Sequence, residues 1–130
     1  MRPALVTTAQ GKFRQTVRIG GHTLVADVTL AEGGEDAGPE PHEWLLAGLG
    51  ACTSMTLGVY ARNKGWPLKG VEVTVEGDRV DGAFVFRRHV RVEGDLTDEQ
   101  RARLLEIANK CPVHKTLTGK IVIETDLSAR

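Results

Sequence analysis

The sequence lacks an excess of charge of either sign: its 130 residues carry 17 basic and 17 acidic side chains. A chain without a positive field has no long-range attraction for nucleic acid or for an anionic membrane surface. No apolar run approaches the roughly 18 residues that a membrane-spanning helix needs, and the N-terminus has no apolar signal-peptide core. These absences predict a soluble, cytoplasmic protein that binds neither nucleic acid nor membrane.

Cysteine is scarce, with only Cys52 and Cys111 in the chain. A permanent structural disulfide is disfavoured in the cytoplasm. The two thiols are therefore either unrelated small buried side chains or a redox pair, and the residues alone leave both alternatives open. His42 and the Cys111-x-x-His114 spacing give only weak support for zinc, because no second pair of ligands accompanies them. The sequence predicts no metal and no cofactor.

Alternating polar and apolar residues predict two hairpins. Residues 12–19 and 22–30 flank Gly20-Gly21, and residues 71–76 and 83–94 flank Asp81-Gly82; both dipeptides favour tight turns. Residues 32–41 are rich in glycine, proline and acids and predict a loop. A last strand is predicted over residues 120–127.

Residues 41–64 predict a helix of five or six turns that is apolar around most of its circumference. Such a helix must be covered on nearly all sides, and one sheet covers only one. Cys52 lies in its interior, preceded by Gly48 and Gly50 on either side of Leu49. The glycines favour close helix packing, and they would also make room around the sulfur.

Two further helices follow the second hairpin. Thr97 and Gln100 form a capping box that begins the first, whose predicted apolar stripe is Leu104, Leu105, Ala108 and Cys111. Pro112 begins the second, which ends at Gly119. The order ββ-α-ββ-α-α-β predicts a single α+β domain over residues 1–130, with helices segregated on antiparallel sheet.

The two cysteines differ in their predicted surroundings. Cys111 precedes Pro112 and so occupies the N-cap of the short helix, where unpaired N–H groups and the helix dipole favour a thiolate. Cys52 has no such help, and burial alone raises the pKa of a thiol, so its anion needs a cation from elsewhere.

Arginines of the strands are the candidate cations. Arg14 and Arg18 share one face of the first predicted strand, and Glu43 could hold such a guanidinium in place. Arg88 falls on an apolar strand face, which we interpret as a bulge or as an aliphatic stem that extends its charge into water.

Two segments together resemble a known family. These are "PHEWLLAGLGACTSMTL" at 41–57 and "NKCPVHKTLTG" at 109–119, accompanied by the hairpin "GKFRQTVRIGGHTLVADV" at 11–28. The sequence resembles the OsmC/Ohr family, named for osmotically induced protein C and organic hydroperoxide resistance protein. The resemblance covers nearly the whole chain. It implies an intertwined homodimer in which two long helices pack together inside two wrapped antiparallel sheets.

The resemblance also implies thiol-dependent peroxidase chemistry. Cys52 matches the peroxidatic cysteine, which a hydroperoxide converts to a sulfenic acid, and Cys111 matches the resolving cysteine that closes a disulfide. A dithiol reductant, of the lipoyl type or another small thiol, would reset the pair. The family's arginine comes from the N-terminal strands, which points to Arg14 first and to Arg18 second.

One position departs from the best-characterised peroxidase branches of the family, which place a glutamate directly after the proline that Pro41 matches. In this respect the chain resembles the broader OsmC-like group. His42 holds that position here, and Glu43 follows, rotated by about 100° around the helix. His42, Trp44 and Leu49, with Arg18 and the 32–41 loop, are the candidate substrate-binding residues. Two functions follow: a hydroperoxide reductase, or a non-catalytic dimer that binds a small apolar or thiol ligand beside spectator cysteines.

Overall fold

The structure is a computed structural model that describes residues 1–129. The chain forms two compact units, Met1–Ala47 and the residues from Gly48 onward, and the boundary falls within the first helix. The single domain over residues 1–130 stays a prediction.

The first unit contains a three-stranded antiparallel sheet in the order β1 (Ala4–Thr8), β2 (Gln15–Ile19) and β3 (His22–Ala26). Ile19 pairs with His22 across Gly20-Gly21, and the φ of Gly20 is 59°, a backbone conformation that glycine adopts without strain. The predicted hairpin is confirmed. Strand β1 was not predicted, because ALVTT has no polar–apolar alternation.

Asp27 organises the loop that follows β3. Its side chain is buried, and its carboxylate accepts the N–H groups of Val28 at 2.8 Å and Ala37 at 3.1 Å. The Asp27 N–H donates to the Pro39 carbonyl, which closes the loop. The hydrogen bonds from Ala37 and Val28 lower the pKa of Asp27 below its ordinary value. The predicted loop is confirmed, with a short 3₁₀ helix at Leu30–Glu32.

Helix α1 spans Pro41–Lys64, as predicted, and ends at Gly65 with a φ of 70°. Its first turn is a reciprocal cap, in which the N–H groups of Glu40 and Glu43 each donate to the other residue's carboxylate at 2.8 Å. By length and composition α1 could cross a membrane. This corrects the expectation that no segment of the chain is long and apolar enough for a membrane-spanning helix. One such helix is weak evidence, since core helices of soluble proteins pass the same test.

The second unit contains a long antiparallel hairpin, β4 (Leu68–Val80) and β5 (Ala83–Gly94), and two helices, α2 (Asp98–Ala108) and α3 (Pro112–Thr118). Asp81 and Gly82 form the turn with φ values of 49° and 81°, and the predicted hairpin is confirmed. The capping box of Thr97 and Gln100 is present, with both hydrogen bonds formed.

The core of the second unit lies between α1, α2 and the hairpin. Gly50 lies where α1 packs on β4, and a Cβ atom there would be in ordinary van der Waals contact with Val75 Cγ2 at 3.4 Å. The predicted stripe of α2 was wrong at Leu105, which is 63% exposed, while Ile107 is buried. Positions three and four beyond Leu104 share its face, and position 105 does not. The core residues are Leu57, Leu96, Leu104, Ile107 and Ala108.

The last predicted strand was wrong. Residues 120–129 form no helix or strand, and Ile121, Val122, Ile123 and Leu127 are exposed. A strand needs a hydrogen-bonding neighbour, and this segment pairs with none in the described part of the chain. The architecture is nevertheless α+β with antiparallel sheets, as predicted.

Candidate functional site

Helix α3 brings the two thiols of the chain together at its first turn. Cys52 Sγ accepts the N–H of Val113 at 3.5 Å, and Cys111 Sγ accepts the N–H of His114 at 3.4 Å. Both cysteines are free. The sulfurs therefore occupy neighbouring amide donors of one helix start and lie near each other, and their action as a redox pair stays a prediction.

The local sequence explains this arrangement. Cys111 is the N-cap of α3, with extended backbone, and Pro112 begins the helix without an N–H of its own. The next amides have no partner within the helix, so side-chain acceptors can use them. Cys111 is fully buried, whereas Cys52 is half-buried.

Thr53 lies beside the thiols on α1. Its hydroxyl donates to the Leu49 carbonyl at 2.7 Å, and its oxygen lies 3.7 Å from Cys111 Sγ. Arg88 Nη1 donates to that same oxygen at 3.0 Å. Thr53 therefore connects α1, the guanidinium and the buried sulfur.

Arg88 reaches this site from β5. Its Nη1 lies 3.9 Å from Cys111 Sγ, and its Nη2 donates to Asn109 Oδ1 at 2.8 Å and to His114 Nδ1 at 3.0 Å. An arginine can only donate, so His114 Nδ1 accepts and the proton of the neutral ring lies on Nε2. The interpretation of Arg88 as a bulge or as a charge that extends into water was wrong, because it pairs regularly with Val75 and its charge turns toward the thiols.

The surroundings of Cys111 act on the pKa of its thiol in opposite directions. Burial raises the pKa of its thiol, while the His114 N–H, the side chains of Thr53 and Cys52 and the charge of Arg88 lower it. The lowering effects prevail, and the pKa of Cys111 lies below its ordinary value. The pair thus contains one buried thiol that favours its anion and one more accessible thiol.

A cavity of about 250 Å³ lies beside residues that contact Cys111. Its wall contains Arg88 and His114, which both contact the Cys111 sulfur. The rest of the wall is mostly apolar, which suits a small hydrophobic ligand. The remaining lining residues are Leu49, Phe84, Phe86, Leu117 and Thr118.

The family model for OsmC-like proteins matches residues 33–126. The chain belongs to the OsmC-like family. No curated protein matches it by sequence.

Solved structures share the fold of this OsmC-like chain. An OsmC-like protein from Mycoplasma pneumoniae superposes with a TM-score of 0.76 at 21% identity, over 92% of this chain and 88% of the other. An organic hydroperoxide resistance protein OsmC from Legionella pneumophila has a TM-score of 0.70 at 20% identity, covering 92% and 90%. An organic hydroperoxide resistance protein from Elizabethkingia anophelis has a TM-score of 0.70 at 21% identity, covering 92% and 89%.

The arginines predicted from the N-terminal strands lie in the first unit of this OsmC-like chain. Arg14 Nη2 is 3.8 Å from Glu35 Oε1, and its buried Nε has no hydrogen-bond partner among the described residues. Arg18 is exposed on β2. The roles of both arginines stay predictions.

The predicted residues at the start of α1 also lie in the first unit. His42 Nδ1 is 3.9 Å from Glu40 Oε2, and Glu43 forms the helix cap. Trp44 Nε1 donates to the Pro39 carbonyl at 3.1 Å. Trp44, Glu43 and the loop residues 36–39 line an open cavity of about 720 Å³. The loop and Trp44 thus meet, as expected of a substrate entrance, and that role stays a prediction.

Sequence reasoning missed the polar residues that surround the sulfurs. Thr53 follows Cys52 directly, and Asn109 and His114 flank Cys111 inside the motif that carries the resemblance. Arg88 had a signal of its own, since a lone charge on an otherwise apolar strand face needs a buried polar partner.

Proposed function

We propose that this OsmC-like chain is a cysteine-based hydroperoxide reductase, with Cys52 as the peroxidatic thiol and Cys111 as the resolving thiol. One observation carries the proposal: two free thiols share the first amides of α3, one accessible and one buried. The names of the fold relatives from Legionella and Elizabethkingia, both hydroperoxide resistance proteins, support the same substrate class.

Cys52 carries out the first step because it is the less buried of the two thiols. Its thiolate attacks the distal oxygen of the hydroperoxide, the O–O bond breaks, and Cys52 becomes a sulfenic acid. The departing alkoxide takes up a proton and leaves as an alcohol. The N–H of Val113 faces the sulfur and stabilises its negative charge before the attack.

Cys111 carries out the second step. Its thiolate attacks the sulfur of the Cys52 sulfenic acid, an S–S bond forms, and hydroxide leaves and is protonated to water. A dithiol reductant, of the lipoyl type or another small thiol, then opens the disulfide by exchange.

The cavity beside Arg88 favours an organic hydroperoxide over hydrogen peroxide. Leu49, Phe84, Phe86 and Leu117 offer apolar surface to an alkyl or aryl group, which hydrogen peroxide lacks. Burial of that group would lower the KM for organic substrates.

The same proposal includes a cytoplasmic homodimer. Ala51, Met55 and Val59 recur at four-residue spacing on α1, and all three are exposed. Apolar side chains of residues 120–127 are exposed as well. A second copy would cover both surfaces, as the family resemblance implies, and a large apolar surface of this kind is typical of a protein interface.

Thiol counting tests the activity. Reduced protein mixed with one equivalent of cumene hydroperoxide should lose two free thiols per chain, while Cys52→Ser should lose none. Cys111→Ser should lose one and hold a sulfenic acid that dimedone traps. Wild-type protein that keeps both thiols over minutes at pH 7 would favour the non-catalytic binding dimer instead.

A further inference from the structure

Arg88 is a partly buried cation whose contacts are otherwise neutral. Thr53, Asn109 and the neutral His114 ring accept its hydrogen bonds, and no carboxylate of residues 1–129 forms an ion pair with it. Among its contacts, the Cys111 thiol alone can become an anion. Because a partly buried charge is costly without a counter-charge, the arrangement favours the Cys111 thiolate.

The guanidinium is also fixed in direction. Asn109 and His114 hold Nη2, which leaves Nη1 directed at Thr53 and Cys111. These two holding residues stand two positions before and three after Cys111, so one short segment carries both the sulfur and the groups that orient its cation. The planar guanidinium suits this task, because one rigid group makes all four contacts.

We propose that Arg88 is a positioning residue that keeps the buried Cys111 as a thiolate, ready to close the disulfide. The inference rests on the proposed function, in which Cys111 attacks the Cys52 sulfenic acid. Without Arg88, that attack waits for a buried thiol to lose its proton. The sulfenic acid then lives longer, and a second hydroperoxide can oxidise it to sulfinic acid while being reduced to the alcohol.

Titration of Cys111 alone tests the inference. In a Cys52→Ser background Cys111 is the only thiol, so the thiolate absorbance in the ultraviolet reports its ionisation. The measurement needs no reagent that must reach the buried sulfur. Arg88→Met should move the midpoint upward, because the charge that favours the Cys111 thiolate is removed. Arg87→Met, the neighbouring exposed arginine of β5, is the matched control and should leave the midpoint unchanged. His114, the other titratable group at the site, contributes no thiolate signal.

Arg88→Lys and Asn109→Ala decide the matter if Arg88→Met does not fold. The lysine keeps the charge without the four-contact geometry, and the alanine removes one holding group. Both should raise the midpoint by less than Arg88→Met. An unchanged midpoint in Arg88→Met, or in both milder variants, would overturn the inference. This titration uses no peroxide, so its result is independent of whether the chain reduces hydroperoxides.

Mass spectrometry gives a second measurement in the chain with both cysteines. With excess cumene hydroperoxide, Arg88→Met should accumulate Cys52 sulfinic acid at least about tenfold more than wild type, because disulfide closure is slower. Equal disulfide rates in the two proteins would contradict the inference. A wild-type protein that does not react would contradict the proposed function, and the titration would still decide the role of Arg88.

Discussion

Arg88 donates to the hydroxyl oxygen of Thr53 at 3.0 Å, which joins β5 to α1 beside the Cys111 sulfur. Thr53 is fully buried, and its own proton goes to the Leu49 carbonyl at 2.7 Å. One hydroxyl group therefore fills three roles: it satisfies a helix carbonyl, accepts from the guanidinium and faces Cys111.

We predict that Thr53→Val destabilises the protein by about 1–3 kcal/mol, because valine has nearly the same shape but leaves the partly buried Arg88 guanidinium with one hydrogen-bond acceptor fewer. Urea denaturation measures the change. Thr116→Val is the control, since that hydroxyl is exposed and its loss should cost no more than about 0.5 kcal/mol. Equal stability of Thr53→Val and wild type would show that the hydrogen bond contributes little.

Short-range chemistry accounts for the elements that were predicted correctly. Gly20-Gly21 and Asp81-Gly82 favour turns, Thr97 with Gln100 favours a helix start, and Pro112 begins α3. Each signal lies within four residues of the structure that it produces. The N-cap position of Cys111 was predictable for the same reason.

The features that were wrong depend on distant partners. Arg88 lies 35 residues from Thr53 and 26 from His114 in the sequence. The alternation of β5 therefore could not reveal which side chains its guanidinium contacts. Residues 120–127 have the composition of a strand, but a strand also needs a neighbour, which composition does not provide. Leu105 is the exception, because helical spacing counted from Leu104 places Ile107 and not Leu105 on the buried face.

The cation for Cys52 can be identified by alkylation. In a Cys111→Ser background, Arg14→Ala should slow the reaction of Cys52 with iodoacetamide at pH 7 by about tenfold, because the thiolate loses a stabilising charge. Arg18→Ala, which removes an exposed charge on β2, should have little effect. If Arg14→Ala reacts at the parent rate, the role belongs to Arg18 or to another cation.

The stability of the protein should depend on Asp27 in acid. Its pKa is lowered in the folded state from an ordinary value of 3.8, so the ionised carboxylate stabilises the fold above that value. This stabilisation is lost as the pH falls through the lower folded pKa. We expect the urea midpoint of wild type to fall in this range more steeply than that of Asp27→Asn. The exposed Asp126→Asn should follow wild type, and parallel curves for wild type and Asp27→Asn would contradict the prediction.

A charge on the exposed face of α1 should disrupt the proposed dimer. Met55 is 70% exposed in the single chain, and Ala51 and Val59 lie one turn on either side of it. Wild type should sediment as a dimer at micromolar concentration, because a second copy covers this apolar face. Met55→Glu would bury an unpaired carboxylate there, so it should sediment as a monomer or lose its fold. Ala102→Glu adds the same charge to an exposed position of α2 and should remain a dimer. A stable, folded wild-type monomer at that concentration would remove the dimer from the proposal and leave α1 with an exposed apolar face that needs another partner.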